Sequence, residues 1–205
     1  IRRRVDELMR ILGARFPVYV LVTKLDQVPG LMGLREHLSE RDLSQAMGWL
    51  NTELREDADE IADRTMDSVA GRLKDLRLKL LEKSGDVHPG LLIFPDEVER
   101  LKPQLKQFLV GAFHENPYLE TPMLRGVFFA SGRQSGTPRS QVLEGLESLE
   151  GRERPLPDTN KGVFLSDLFG RLLPWDRNLF SPIVEYLKCR IISRNLGLPS
   201  WLFLP

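Results

Sequence analysis

The 205-residue chain has one cysteine, Cys189, so no intramolecular disulfide can brace it. Its three histidines, His37, His88 and His114, fall in separate segments, unlike the close spacing of a zinc site. Excess charge is missing too, since 29 Lys and Arg balance 29 Asp and Glu. Such a neutral chain lacks the basic excess by which nucleic-acid binders are recognised. No apolar run approaches the ~18 residues that a membrane-spanning helix needs. There is no Gly-x-x-x-x-Gly-Lys-[Ser/Thr] loop either, and hence no backbone cradle for a triphosphate and no lysine on its outer phosphates. Phosphoryl transfer is mostly positioning of phosphates and metal, so the chain alone is not expected to be a complete enzyme. With 41% hydrophobic and 28% charged residues, the composition is that of an ordinary globular protein, which excludes disorder and collagen. The start, Ile1-Arg-Arg-Arg4, has neither Met nor an apolar signal core and reads as part of something longer and soluble.

What is present is mostly helical. Val5, Leu8, Met9 and Leu12 recur at helical spacing over residues 2–13, with Gly13 placed to end the helix. Phe16 to Val22 is continuous and apolar, the pattern of a strand covered on both faces in a parallel sheet. Val127-Phe-Phe-Ala130 has the same character, and these are the only two convincing strands. Between them, Ser39 or Ser44 can cap a short helix through Trp49. Over 52–81, Ala62, Met66, Val69, Leu73, Leu76 and Leu80 form a heptad seam. That seam reads first as an internal packing face, with an intermolecular coiled coil as the other reading. Residues 84–90 form a loop, Pro95 is placed to open a helix, and Pro103 splits it. Beyond the second strand come a loop at 133–138, a helix at 139–149 and a linker at 150–161. Helices at 162–173 and 178–195 follow, with Pro182 in the first turn of the second, and then an apolar tail at 198–205. Trp49, Trp175 and Trp201 form no stripe and read as packing anchors, as Cys189 reads as core.

Chemistry is best placed where the two strands end. Thr23-Lys24-Leu25-Asp26 follows the first and is similar to the Asn-Lys-x-Asp base-reading loop of GTPases, with Thr23 in place of Asn. In that loop the Asp accepts two hydrogen bonds from the guanine edge and the Lys stem lies along the base. Phe129-Ala-Ser-Gly132 follows the second strand and resembles the Ser-Ala loop that touches the base through its backbone. The candidate base-binding residues are therefore Thr23, Lys24, Asp26, Ser131 and Gly132. The competing reading of Asp26 is a turn former after a strand. No catalytic residue and no metal ligand is assigned.

Two longer blocks carry a wider resemblance. Phe16-Pro-Val-Tyr-Val-Leu-Val-Thr-Lys-Leu-Asp26 with Pro29-Gly30, and Thr121 to Gly136, are similar to the cytoplasmic region of the TssM/IcmF proteins of bacterial type VI secretion. Phe94-Pro95, Leu101, Pro103, Leu105 and Phe164 to Leu173 fit the same family, while Ala130 and Pro174-Trp175-Asp176 depart from it. The resemblance implies a mostly α protein with a partial α/β part. That part is the C-terminal half of a P-loop-NTPase-like domain with two buried parallel strands, accompanied by a helical subdomain. Residues 1–30 and 121–150 would form the α/β part, 31–120 a helical insertion, and 151–205 a helical segment leading towards the membrane. The implied role is a scaffold on the cytoplasmic face of the inner membrane. It would dock a TssL/DotU-like membrane protein and baseplate components, with self-association also open. The alternative is part of an active GTPase or ATPase whose phosphate loop lies upstream. The fragment itself would hold no cofactor, and the intact parent would take GTP or ATP with magnesium.

Overall fold

The computed structural model describes residues 1–54, 57–83, 89–115, 120–132 and 162–183. Its elements are α1 (Arg2–Leu12), β1 (Ala14–Arg15), β2 (Pro17–Val22), α2 (Leu31–Glu36), α3 (Glu40–Ser44), β3 (Met47–Leu50), α4 (Ala58–Lys83), α5 (Pro89–Glu99), α6 (Lys102–Phe113), β4 (Met123–Phe129), α7 (Leu173–Trp175) and β5 (Ser181–Pro182). A 3-10 turn at Leu25–Gln27 follows β2, and a π-helical segment at Leu168–Leu172 runs into α7. Mostly helical with a small sheet is therefore the observed class.

The two expected strands are neighbours. β2 runs parallel to β4, with Val22 opposite Phe129, and β4 is the centre of a three-stranded sheet ordered β2-β4-β3. β4 is buried throughout and starts at Met123, four residues earlier than its apolar run suggests. The early start is masked in sequence by Arg125, which sits at a register shift between Val18 and Tyr19 of β2. A bulge of this kind re-aims one side chain, here the guanidinium.

The third strand corrects the sequence reading. Ser39 does cap a helix, accepting from the Asp42 N–H at 3.2 Å while its own N–H returns to the Asp42 carboxylate. That helix, α3, stops at Ser44, and Met47-Gly-Trp-Leu50 pairs antiparallel with β4 instead of continuing it. Four residues with a central glycine carry no strand periodicity; pairing with β4 decides their conformation. Gly48 is required there, because a Cβ would stand 2.2 Å from the Val127 carbonyl oxygen and 2.6 Å from the Phe128 ring. β3 lies within the stretch 31–120 expected to be wholly helical.

The heptad seam of α4 is internal. Ala62, Met66, Val69 and Leu73 are buried, Leu76 and Leu80 pack partly against the same core, and the helix lies on α5 and α6. On the rim, Lys102 bridges Asp63 and Asp67 at 3.1 and 3.0 Å, and Lys106 bridges Asp59 and Asp63 at 2.9 Å each. Hydrogen bonds from these lysines hold the Asp63 carboxyl below its ordinary range. α4 starts at Ala58 rather than at 52. α5 starts at Pro89, so Pro95 lies inside a helix instead of opening one. The buried Leu91 and Phe94 packing on this turn offsets the hydrogen bond that Pro95 lacks. Pro103 sits in the first turn of α6 and separates it from α5, as expected.

Near the C-terminal end, the expected helix over 162–173 starts at Ser166, is π-helical over Leu168–Leu172 and continues into α7. Residues 178–183 are not helical, and Pro182 belongs to β5, which pairs with β1. A Pro with no N–H to lose fits a two-residue edge ladder well. His88, Cys189, Trp201, residues 84–88, the loop 133–138, the helix 139–149, the linker 150–161, most of the helix 178–195 and the tail 198–205 lie outside the described residues. Among the described residues no helix is long and apolar enough to cross a membrane.

Candidate functional site

The carboxyl ends of the two parallel strands bring the two sequence-predicted loops into contact. The Ala130 N–H donates to the Val22 carbonyl at 2.9 Å, and the Leu25 N–H to the Ala130 carbonyl at 3.2 Å. Between these bonds the chain turns through Lys24 at φ 66°, a left-handed conformation unusual for lysine. The 3-10 turn that follows drives Asp26 inward. Asp26 and Ser131 are both 0% exposed, and the Ser131 hydroxyl donates to Oδ1 of Asp26. Ser131 is itself fixed by backbone bonds to Val163 in both directions, at 3.2 and 2.8 Å.

Thr23 and Lys24 stay at the surface. At Gly132, no atom of the described residues lies within 4 Å of where a Cβ would project. The structure thus joins Asp26 to Ser131 and leaves the other three candidates exposed. One oxygen, Oδ2 of Asp26, is buried with no hydrogen-bond partner among the described residues. A buried carboxylate oxygen in that condition is a costly feature and an acceptor in waiting.

The exit from this loop is held as tightly as its entry. Gly30 has φ 93°, and a Cβ on it would stand 2.0 Å from the Gly90 carbonyl oxygen and 2.8 Å from Cβ of Phe94. Backbone therefore meets backbone where the loop enters α2, and α5 braces the exit of the loop.

A second buried polar cluster lies along the same sheet, and the sequence reading missed it. Arg125 donates to Asp176 through Nε at 2.6 Å and Nη2 at 3.1 Å, while Nη1 donates to the Asn51 carbonyl. The Tyr19 hydroxyl donates to the same carboxylate. Asn51 closes the network, with its amide donating to the Leu124 carbonyl at 3.2 Å and its Oδ1 accepting from the Leu54 N–H at 2.9 Å. Burial pushes the Asp176 carboxyl up, but the hydrogen bonds from Arg125 and Tyr19 outweigh it and hold the group below the ordinary carboxylate range. The Asp176 hydrogen bond raises Arg125. Burial and the adjacent carboxylate raise Tyr19 well above an ordinary phenol. The one signal in sequence was Arg125 itself, a cation inside an apolar strand, which must find a buried partner.

This cluster ties the segment 162–183 to the sheet, and that segment carries exposed aromatic side chains. Trp175, next to Asp176, is 80% exposed, and Phe169 and Phe180 are also exposed. The expectation that Trp175 anchors packing is therefore wrong, whereas Trp49 does pack against the core. The bidentate ion pair holds the backbone at Asp176 and leaves the preceding indole outside. Among the described residues no group of three or more His, Cys, Asp or Glu could hold a metal ion.

Residues 1–200 match a family described as the IcmF-related N-terminal domain. The type VI secretion system component TssM1 of Pseudomonas aeruginosa is 31% identical over 197 residues, which is 90% of this chain and 18% of that protein. The chain thus spans less than a fifth of the curated relative it matches. No solved structure matches it.

Proposed function

This chain belongs to the IcmF-related, or TssM/IcmF, family, and from that premise we propose that it is a scaffold and docking region of a type VI secretion membrane complex. In this reading it sits on the cytoplasmic face of the bacterial inner membrane and meets a TssL/DotU-like membrane protein and baseplate components. The observation that carries the reading is the exposure of Trp175 on a segment fixed by the Arg125–Asp176 pair. Exposed aromatic side chains are the commonest anchors of protein interfaces. Presentation from a fixed backbone removes part of the ordering cost of binding. Trp175→Ser combined with Phe180→Ser in the intact protein should weaken capture of the purified TssL/DotU-like protein or of baseplate components, with the melting temperature unchanged. Full capture of both by that double variant would sink this docking surface.

A second reading is favoured by one feature, the unpartnered Oδ2 of Asp26 at the carboxyl end of parallel strands. Here the chain is part of an active GTPase or ATPase whose phosphate loop lies upstream and whose nucleotide is bound with magnesium. Asp26 would accept from a base N–H, Lys24 would flank the base, and Thr23, Ser131 and Gly132 would border it. The residues fit half of that task. Reading a guanine edge uses both carboxylate oxygens, and the Ser131 hydroxyl already holds one inside a closed junction. The scaffold reading is therefore preferred. Calorimetry of GTP and ATP with magnesium on the intact protein tests the alternative: tight binding whose base preference disappears in Asp26→Ala would establish it.

A further inference from the structure

The segment from Gly162 to Asp176 is fastened to the sheet at both ends. At its start, Val163 and Ser131 exchange backbone hydrogen bonds at 2.8 and 3.2 Å, and the Phe164 N–H donates to the Leu43 carbonyl at 2.7 Å. Phe164 is held there at φ 62°, a left-handed conformation that a bulky residue keeps only where its surroundings impose it. At its end, Asp176 accepts two bonds from Arg125 and one from Tyr19. The first fastening continues the Asp26–Ser131 junction, and the second stands next to the exposed Trp175. One strap therefore runs from the candidate base-binding loops to the aromatic surface.

The strap does not take the helix that its sequence favours. Leu165, Leu168, Phe169 and Leu172 follow the i, i+3, i+4, i+7 spacing of one α-helical face, a stripe about 100° wide. In a regular α-helix Phe169 would share the covered side with Leu165 and Leu168. Instead Leu168–Leu172 is π-helical, and the Leu173 N–H reaches back to the Leu168 carbonyl. Leu168 is buried in this register while Phe169 is 57% exposed. A π turn carries one residue more than an α turn, and such turns recur at functional sites. Fixed ends account for the extra residue, because the register can slip back only if one of them lets go.

We propose that Gly162–Asp176 is a two-register strap that couples the Asp26–Ser131 junction to the exposed aromatic surface. With both ends fastened, the π register keeps Phe169 outside, on the same segment as Trp175. A ligand N–H or O–H that takes the Asp26 carboxylate in place of the Ser131 hydroxyl is the trigger. The Val163 end then loosens, the strap relaxes to the α register, and Phe169 turns by about 100° towards the covered face. Both sites bias one two-state element, so the coupling is reciprocal and loosening Asp176 has the same effect. The consequence for docking rests on the scaffold reading above, whereas the strap itself does not.

The test is thiol labelling by a maleimide of Phe169→Cys in the intact polypeptide, read on the peptide that carries residue 169. Adding Ser131→Ala should slow labelling roughly threefold or more, because the loosened strap turns residue 169 inward. A general loss of stability has the opposite sign and speeds labelling. Unchanged or faster labelling therefore overturns the proposal. Asp176→Asn loosens the other end and should slow labelling likewise, which keeps the test decisive should Ser131→Ala not fold. Deleting the exposed Gly170 removes the extra residue and should give slow labelling with or without the Ser131 hydroxyl. Fast labelling in the folded deletion variant also overturns the strap. No partner enters these measurements. A chain that passes them yet captures neither the TssL/DotU-like protein nor baseplate components loses the docking reading and keeps the strap.

Discussion

The two buried polar clusters of this sheet satisfy their carboxylates in opposite ways. Asp176 accepts a bidentate guanidinium and a phenol hydroxyl, and the guanidinium in turn reaches the Asn51 carbonyl. Asp26 has one hydroxyl on one oxygen and, among the described residues, nothing on the other. The first is a completed network, which fixes the backbone of 162–183 on the sheet. The second joins two loops and leaves an acceptor unused. Completed networks are structural devices, whereas a buried unfilled acceptor calls for another explanation. The sequence pointed to the second cluster, and the first is the stronger of the two.

The contrast can be broken most forcefully at Arg125. Arg125→Met leaves Asp176 as an unpaired buried charge, which should lower stability by about 3–5 kcal/mol in urea unfolding. The companion double variant Arg125→Met with Asp176→Leu should recover most of that loss, because replacing both partners removes the stranded charge. Equal losses in the single and double variants would deny the pair its role. Next in size is Gly30→Ala. A left-handed φ and a 2.0 Å approach to the Gly90 carbonyl should together give a loss of about 2–3 kcal/mol. A neutral result would show that α5 does not hold the loop.

Ser131→Ala sharpens the comparison from the other side. It empties the second oxygen of Asp26 and should lower stability by about 1–3 kcal/mol, less than Arg125→Met. A loss as large as that of Arg125→Met would mean that the two clusters are equally committed to structure. The smallest effect is expected from pH. Asp176 is held below its unfolded value, so its contribution is present above about pH 4 and fades as pH falls through the lowered folded value. Tyr19 has the opposite sign. Its folded value is raised, so its contribution is full below about pH 10 and is lost as pH rises further. Denaturation midpoints across pH in Asp176→Asn should lose the acid-side decline contributed by this group, and an unaltered acid limb would remove Asp176 from the account.

The sequence by itself determined the elements whose own residues carry a period or a run. Gly13 ends α1, Ser39 caps α3, the α4 seam repeats over nearly three heptads, and β2 and the last residues of β4 are apolar runs. It also marked the contact between the two strand-loop segments, because ligand loops and their partners gather where parallel strands end. In each case the free-energy preference is local, or is shared by every residue of the element.

Tertiary structure alone decided the rest. Met47–Leu50 is a strand because β4 offers it hydrogen bonds, and Pro95 stays in a helix because Leu91 and Phe94 are buried beside it. Arg125 and Asp176 are 51 residues apart in sequence and meet through a bulge and a crossing segment. The closure of Asp26 rests in the same way on a hydroxyl 105 residues away. Pairings over such separations depend on where the whole chain goes, and one residue's pattern of neighbours carries no record of that.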